Sequence, residues 1–368
     1  MKILMTLMGL DIGGAETHVV ELSKELKTRG HEVIVVSNGG VYEEELTSSG
    51  IKCYHAPLHK RSISLMKEAY KKLDEIIATE KPDIVHAHAR IPAFLCGKLK
   101  EKYDFRFVTT AHWVFKVNAI LKKLTNWGEK CLAVSDDIKA YLIDNYGIDE
   151  NNIFVTVNGI DTNKFHPTNM GINICDEFGI DDRSPIVVYV SRLDEDRSLV
   201  AKQLIKASVD IRSKRKNVQF VIVGGGNDFD NVKALVDEAN EKLGEKYIYL
   251  TGPRSDINNI VAIADVFVGV SRSALEAMSA GKLVILGGNE GYLGIFDESK
   301  LAKAKESNFC LRGCQMPNEE LIRDDITRAL DLSNQERSNI EAFGRDLILK
   351  DYSVKKMVDD YIRCYNSL

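Results

Sequence analysis

The sequence predicts an α/β protein built from two doubly wound, Rossmann-like domains facing across a cleft. Three observations carry that expectation. Short Val- and Ile-rich runs alternate with amphipathic stretches along most of the chain, the pattern of parallel βαβ units. The alternation lapses once, over residues 166–185, and then resumes. A length of 368 residues suffices for two domains that each bury a core of their own.

In the N-terminal half, strands are predicted at 2–8, 31–38, 52–57, 83–89, 106–112, 130–135 and 153–159. Helical periodicity fills 16–30, 64–80, 91–102 and 136–147. Strands so rich in Val and Ile are expected to be buried on both faces. The stretch FHPTNMGINICDEFGIDDRSP has no clear period and two prolines, so it reads as a linker between a domain of residues 1–165 and a second of 186–350. The second alternation runs PIVVYVSR, VQFVIVGGG, YIYLTG, VFVGV and KLVILGG as strands. Helices fall at 199–213, 230–242, 255–264, 273–280 and 318–333, and an amphipathic helix closes the chain at 353–368.

Composition removes several function classes. A net charge of −5 gives no bulk attraction to nucleic acid. Residues 1–170 balance acid against base, so the acidic excess belongs to the C-terminal half. Seven irregularly spaced cysteines argue for a reducing, cytoplasmic setting and against a disulfide framework. Cys310 and Cys314 form a lone C-x3-C with no second cluster, a weak zinc signal. The apolar start MKILMTLMGL runs into Asp11 and a Gly-Gly turn, so it reads as a buried first strand and not a leader. No apolar run is long enough to span a membrane.

Residues able to do chemistry collect after strands, where open α/β sheets bind ligands. Gly13 and Gly14 precede a helix whose first amides suit an anion; equally, they are a tight turn needing glycine for its φ angles. His112 follows a strand, and His86 and His88 alternate along another, which favours packing or acceptor contact over half a metal site. Arg192 and Arg197 follow the first strand of the second domain, where two guanidiniums suit a diphosphate; alternatively they are solvated and partnered by Asp194, Glu195 and Asp196. Gly225 lies in a three-glycine loop and Arg254 in TGPRSDI. Ser271 or Ser273 is expected to cap the next helix, with Glu276 in its first turn able to accept hydrogen bonds from a ribose.

The segments GGAETHVVELSKEL, TTAH, CLAVSDDIKAYL, VNGIDTNKFHP, SRLDEDRS, VIVGGG, TGPRSDI and LEAMSAGK occur in the order found in family 4 glycosyltransferases of the retaining GT-B type, and the chain resembles that family over nearly its whole length. The resemblance implies transfer of a hexose or N-acetylhexosamine from a UDP- or GDP-sugar to a saccharide or polyprenyl-linked acceptor. It implies front-face attack, with no metal and no other cofactor. Gly13 and Gly14 would lie near donor phosphates and acceptor, and His112 would contact the transferred sugar. Arg192 and Arg197 would hold the diphosphate, the second standing where the family usually has Lys. The main chain near Arg254 would read the base edge, Glu276 would bind the ribose, and the final helix, 351–368, would return to the N-terminal domain.

One departure stands out. The family usually carries two glutamates eight positions apart, the second matching Glu276; Val268, inside a strand, occupies the first position. The short loop Gly269–Ser273 replaces a longer glycine-rich one. Ser271, Arg272 and the loop amides are expected to hold donor phosphate and sugar instead, unless Arg272 points into solvent. Two alternatives accompany the transferase reading: a non-catalytic nucleotide-sugar-binding subunit of a partner enzyme, and a nucleotide-sugar epimerase. Lastly, HWVFKVNAILKKLTNW (112–127) interleaves aromatics with lysines. It reads first as a helix packed on its sheet and second as a peripheral contact with the inner membrane surface.

Overall fold

The computed structural model describes residues 1–115, 117–118, 122, 124–169, 171 and 174–368. It divides into two units, one of Met1–Gly159 with Val354–Leu368, the other Ile160–Ser353.

In the first unit, strands β1 (Lys2–Thr6), β2 (Glu32–Ser37), β3 (Lys52–His55), β4 (Ile84–Ala87), β5 (Arg106–Ala111), β6 (Lys130–Ala133) and β7 (Ile153–Val155) form a parallel sheet ordered β3-β2-β1-β4-β5-β6-β7. Helices α1 (Gly14–Thr28), α2 (Glu43–Ser48), α3 (Ile63–Glu80), α4 (Arg90–Leu99) and α5 (Asp136–Tyr146) connect them. Alternate residues of a strand face opposite sides of the sheet. Ile3 and Met5 therefore join one apolar cluster with Leu22 and Leu26 of α1, while Leu4 joins another with Leu73 and Ile77 of α3. The chain order reverses between β1 and β4, which opens a crevice at their carboxyl ends.

The second unit repeats the plan with β8 (Ile186–Val190), β9 (Gln219–Val223), β10 (Ile248–Leu250), β11 (Val266–Gly269), β12 (Leu283–Gly288) and β13 (Gly291–Ile295), ordered β10-β9-β8-β11-β12-β13. Its helices are α6 (Ile174–Phe178), α7 (Leu199–Lys214), α8 (Phe229–Leu243), α9 (Ile257–Ala262), α10 (Ser271–Ser279), α11 (Leu301–Lys305), α12 (Glu319–Asp331) and α13 (Asn334–Asp351). Strand β13 is antiparallel to β12 and was not expected. Its glycines (EGYLGI) hide the apolar run, although Tyr292 and Ile295 are buried.

Helices α2, α11 and α13 also went unanticipated. Helix α13 had a signal: Ser333 and Glu336 make a reciprocal capping box at its start. The stretch read as a linker is folded onto the second unit. Gln219 Nε2 donates to Asp181 O at 2.7 Å, Tyr249 Oη to Gly179 O at 3.1 Å, and Arg345 Nη1 to Phe165 O at 3.0 Å. Helix α6 lies within it.

The last helix, α14 (Val354–Asn366), belongs to the first unit. Met357, Val358, Tyr361 and Cys364 enter the same cluster as β1 and α1. Gly159 permits the approach, since a Cβ there would sit 2.8 Å from Val354 Cα. Arg29 fastens the exposed side, pairing with Asp359 at 2.5 Å and donating to Lys355 O at 2.8 Å.

Beneath the carboxyl ends of β4 and β5, α14 supplies two tyrosines to a buried polar chain. Tyr365 Oη lies 2.7 Å from His86 Nδ1, and His86 Nε2 lies 2.8 Å from Thr110 Oγ1. Thr110 Oγ1 lies 3.0 Å from Tyr361 Oη, Tyr361 Oη 2.7 Å from His18 Nε2, and His18 Nδ1 3.3 Å from Asn158 Oδ1. With the Asn158 oxygen as final acceptor, one direction of donation satisfies every bond: Tyr365 to His86, then Thr110, Tyr361, His18 and Asn158. In that arrangement each group contributes one proton and both histidines are neutral. Burial agrees for His86, pushing its pKa down to about 3, and it pushes that of the neighbouring His112 down to about 4.

The sign of the pH effect follows. An unfolded histidine titrates near 6.5, so unfolding takes up protons below that pH. The first unit loses stability as pH falls from about 6.5 toward 4, on the order of 1 kcal/mol per buried histidine per pH unit. Both tryptophans, Trp113 and Trp127, lie in this unit. The urea midpoint read by tryptophan fluorescence should fall over that range; a midpoint flat from pH 7 to pH 4.5 would contradict the neutral network.

Candidate functional site

On the first unit, the segment after β1 lies against the segment after β2. Leu10 N donates to Gly39 O at 2.8 Å and Tyr42 N to Leu10 O at 3.0 Å. Gly40, at φ +147°, lets the two backbones touch, for a Cβ there would lie 2.3 Å from Leu10 C. Gly13 and Gly14 behave differently. Gly13 is extended at φ −175°, a conformation open to any residue, and Gly14 begins α1 with open space where a Cβ would stand. The tight-turn reading of this pair is therefore overturned: no φ angle there demands glycine. Gly14 leaves open space at the start of a 15-residue helix, whereas the Glu16 carboxylate lies against Gly13, 2.2 Å from where a Cβ would stand.

His112 follows β5 at the same end of the sheet. Its Nε2 lies 3.1 Å from His88 Nδ1. The His88 ring stacks on His86 with centroids 4.2 Å apart and 19° between planes, and His18 meets His112 edge-on at 4.9 Å. The i, i+2 pair on β4 was legible in the sequence. That His18, Tyr361 and Tyr365 would join it was not, since those partners come from the two ends of the chain.

On the second unit, the loop after β8 is zipped to the loop after β9. Leu193 N donates to Gly225 O at 2.8 Å, Asp228 N to Leu193 O at 2.9 Å, and Glu195 N to Asn227 Oδ1 at 2.9 Å. Here glycine is required. A Cβ on Gly224 (φ +148°) would lie 1.8 Å from Ser191 O, and one on Gly226 (φ +157°) 2.4 Å from Leu193 O. Gly225 is confined by Pro253, 3.2 Å from a Cβ. Asp228 anchors the pair from below. Its carboxylate pairs with Lys202 at 2.5 Å and accepts from the buried Ser198 hydroxyl, contacts that hold its pKa down to about 2.

The zipped loops carry the two arginines outward. Arg192 is half exposed, 3.5 Å from Asp194, and Arg197 lies 4.0 Å from Asp196 at 38% side-chain exposure. Both partners stand at the long edge of an ion pair. Asn289, in the β12–β13 turn, donates to Asp196 O at 2.7 Å and ties that turn to the same edge. Beside it Glu290 holds Arg312 at 3.2 Å, a cation hidden in the sequence between the two cysteines of NFCLRGC.

At α10 the serine caps are corrected. Val270 is the N-cap residue, with no side-chain cap, and only this residue separates β11 from the helix. Ser271 stands at φ +50°, and its amide donates to Phe309 O at 2.7 Å. Ser273 Oγ donates to Val270 O at 3.0 Å. The carbonyl comes from an unusual segment in which Asn308, Phe309 and Leu311 all have positive φ (51°, 59° and 66°) without being glycine. Such geometry costs on the order of 1–3 kcal/mol per residue and gathers at functional sites. It brings the carbonyl of Phe309, a fully buried residue, to the start of α10.

Arg272 does not point into solvent. It is 8% exposed and its Nε donates to Glu276 Oε1 at 2.9 Å, one turn along the same helix. Glu276 is equally buried at 7%. The arginine and the glutamate thus form one unit at the base of the short loop. Arg254 is likewise committed by its side chain, pairing with Glu177 and, at 2.8 Å, with Asp256. That pinning orients the main chain after β10.

Comparison with known proteins agrees with this layout. The family model "Glycosyltransferase Family 4" matches residues 12–164, and "Glycosyl transferases group 1" matches residues 173–345. The UDP-Gal:alpha-D-GlcNAc-diphosphoundecaprenol alpha-1,3-galactosyltransferase of Escherichia coli is 28% identical over 67% of this chain and 69% of its own. Among solved structures, a glycosyltransferase from Rickettsia africae superposes with a TM-score of 0.79 at 23% identity, covering 100% of this chain and 98% of that one. Anabaena Alr3699/HepE in complex with UDP and glucose gives 0.78 at 19%, covering both chains completely. With the two models spanning most of the chain in order, on two Rossmann-like units, the protein belongs to the family 4 glycosyltransferases of the GT-B fold.

Proposed function

We propose that this glycosyltransferase moves a hexose or N-acetylhexosamine from a UDP- or GDP-sugar to a saccharide or lipid-linked acceptor, with retention of configuration. The observation that carries the reading is the fixed edge of the second unit, where Arg192 and Arg197 project from loops locked by Gly224, Gly226 and Asp228. A nucleoside diphosphate is the leaving group such an edge suits. Its charge grows as the glycosidic bond breaks, and preorganised cations stabilise that charge without moving.

In this reading the Arg272–Glu276 pair presents the glutamate to the ribose and holds the short loop in shape. The main chain beside Arg254 meets the base. The backbone at Gly13–Gly14 lies near phosphate or acceptor, and His112 contacts the sugar being transferred. Arginines and amides meet the diphosphate charge, so no divalent metal is needed. The E. coli relative acts, by its name, on a diphosphoundecaprenol-linked sugar, which supports a lipid-linked acceptor and a place at the inner face of a membrane. Among the described residues no helix is long and apolar enough to cross one. The basic stretch 112–127, the candidate peripheral contact, lies partly outside the described residues.

Release of nucleotide tests the transfer directly. A panel of UDP- and GDP-sugars, each with and without saccharide and lipid-linked acceptors, should yield free nucleotide with at least one pair. Saturable donor binding with no release under any pairing would instead mark a binding subunit, and conversion of free donor without acceptor an epimerase.

Arg192→Ala and Arg197→Ala should each weaken donor binding by about 1.5–3 kcal/mol, the worth of hydrogen bonds to a charged group. Both serve one diphosphate, so the double variant should fall short of the sum. Calorimetry showing unchanged UDP and GDP affinity in both single variants would remove the loop from the site.

A further inference from the structure

We propose that His88 is a positioning residue that holds His112 as its Nδ1–H tautomer, so that the ring nitrogen left for a substrate is a hydrogen-bond donor. The proposal rests on reading His112 as the group that meets the transferred sugar.

The contact between the rings, His88 Nδ1 to His112 Nε2 at 3.1 Å, has room for one proton. Which ring supplies it follows from the other nitrogen of His88. His88 Nε2 is buried and has no hydrogen-bond partner among the described residues. Were the His88 proton on Nε2, a buried N–H would be orphaned, which folded proteins rarely tolerate; a bare ring nitrogen is the lesser loss. The proton therefore sits on His88 Nδ1 and is donated to His112 Nε2. His112 then carries its own proton on Nδ1. Free imidazole side chains favour the opposite form, with the proton on Nε2, so the tautomer is imposed by the fold.

The clamp is rigid because its base is rigid. His88 is 5% exposed and lies flat on His86, both of whose nitrogens are held, by Tyr365 and Thr110. Those bonds fix the plane of His86 and through it the plane of His88. Burial also keeps His88 uncharged, its pKa pushed well below the ordinary value. A neutral His88 carries a single ring proton, and where it sits decides which nitrogen of His112 carries the other. Helix α14, which supplies Tyr361 and Tyr365, thus reaches His112 through two layers of rings.

Nitrogen-15 NMR of histidine-labelled protein reads the tautomer without any substrate. Long-range proton–nitrogen correlations should show His112 with a protonated Nδ1 and a bare Nε2, assigned by loss of those signals in His112→Gln. Two further variants separate positioning from bulk. His88→Asn places an amide N–H where Nδ1 stood and should keep both the tautomer and turnover. His88→Leu fills the space without a donor; it should return His112 toward the Nε2–H form and lower kcat by about 10- to 100-fold, the usual cost of losing a supporting hydrogen bond. The donor KM should change by less than about twofold, as expected when the lost interaction is one made in the transition state.

A bare Nδ1 on His112 in the parent protein would overturn the proposal. So would an unchanged tautomer in His88→Leu, or equal losses in His88→Asn and His88→Leu. Should His88→Leu fail to fold, the parent and His88→Asn spectra still decide. Full turnover in His112→Gln alongside the expected tautomer would sink the role given to His112 while leaving the clamp intact.

Discussion

Two backbones meeting without side chains between them set the shape of the second unit's working edge. Gly224 and Gly226 bring the loop after β9 so near the Ser191–Asp194 segment that a single methyl group would collide with main-chain atoms. Everything chemical at that edge hangs from this contact. It fixes the loop bearing Arg192 and Arg197, sets Asp228 under the start of α7, and leaves Asp196 O where Asn289 can reach it. A glycine-rich loop in a nucleotide-binding fold is often read as making room for phosphate. Here the first and third glycines make room for the protein's own backbone, and the phosphate-binding groups proposed are side chains placed by that packing.

The first unit organises its edge by a different means. A chain of hydrogen bonds runs from Tyr365 to Asn158 beneath the strand ends, and donation in one direction satisfies all of it. Buried polar networks stabilise only when fully satisfied. This one is satisfied by drawing on both ends of the sequence, His18 near the start and two tyrosines near the finish. Return of α14 to the first unit therefore completes a polar network as well as covering an apolar cluster.

Most of the architecture was legible because burial on both faces writes parallel strands as unbroken Val and Ile runs. Legibility failed where another constraint overwrote that pattern. Three of the five residues of strand β13 are glycine or tyrosine, so its apolar run is short. Helix α13 presents a mostly polar exposed face and was marked only by its capping box. At the candidate sites the residues after strands could be named from the sequence, since strand ends follow from the runs. Where their side chains turn could not. Arg272 lies along α10 against Glu276, and the Ser271 amide is held by Phe309 O from a segment whose left-handed residues Asn308, Phe309 and Leu311 are not glycine.

The central claim is that the nucleotide sits on the carboxyl edge of the second sheet. Amide hydrogen exchange with and without a saturating UDP-sugar or GDP-sugar tests it most directly. Protection should concentrate in residues 191–198, 251–256 and 270–276, with the core strands β8 and β9 unchanged. Saturable binding that leaves those segments exchanging at their free rates would contradict the account.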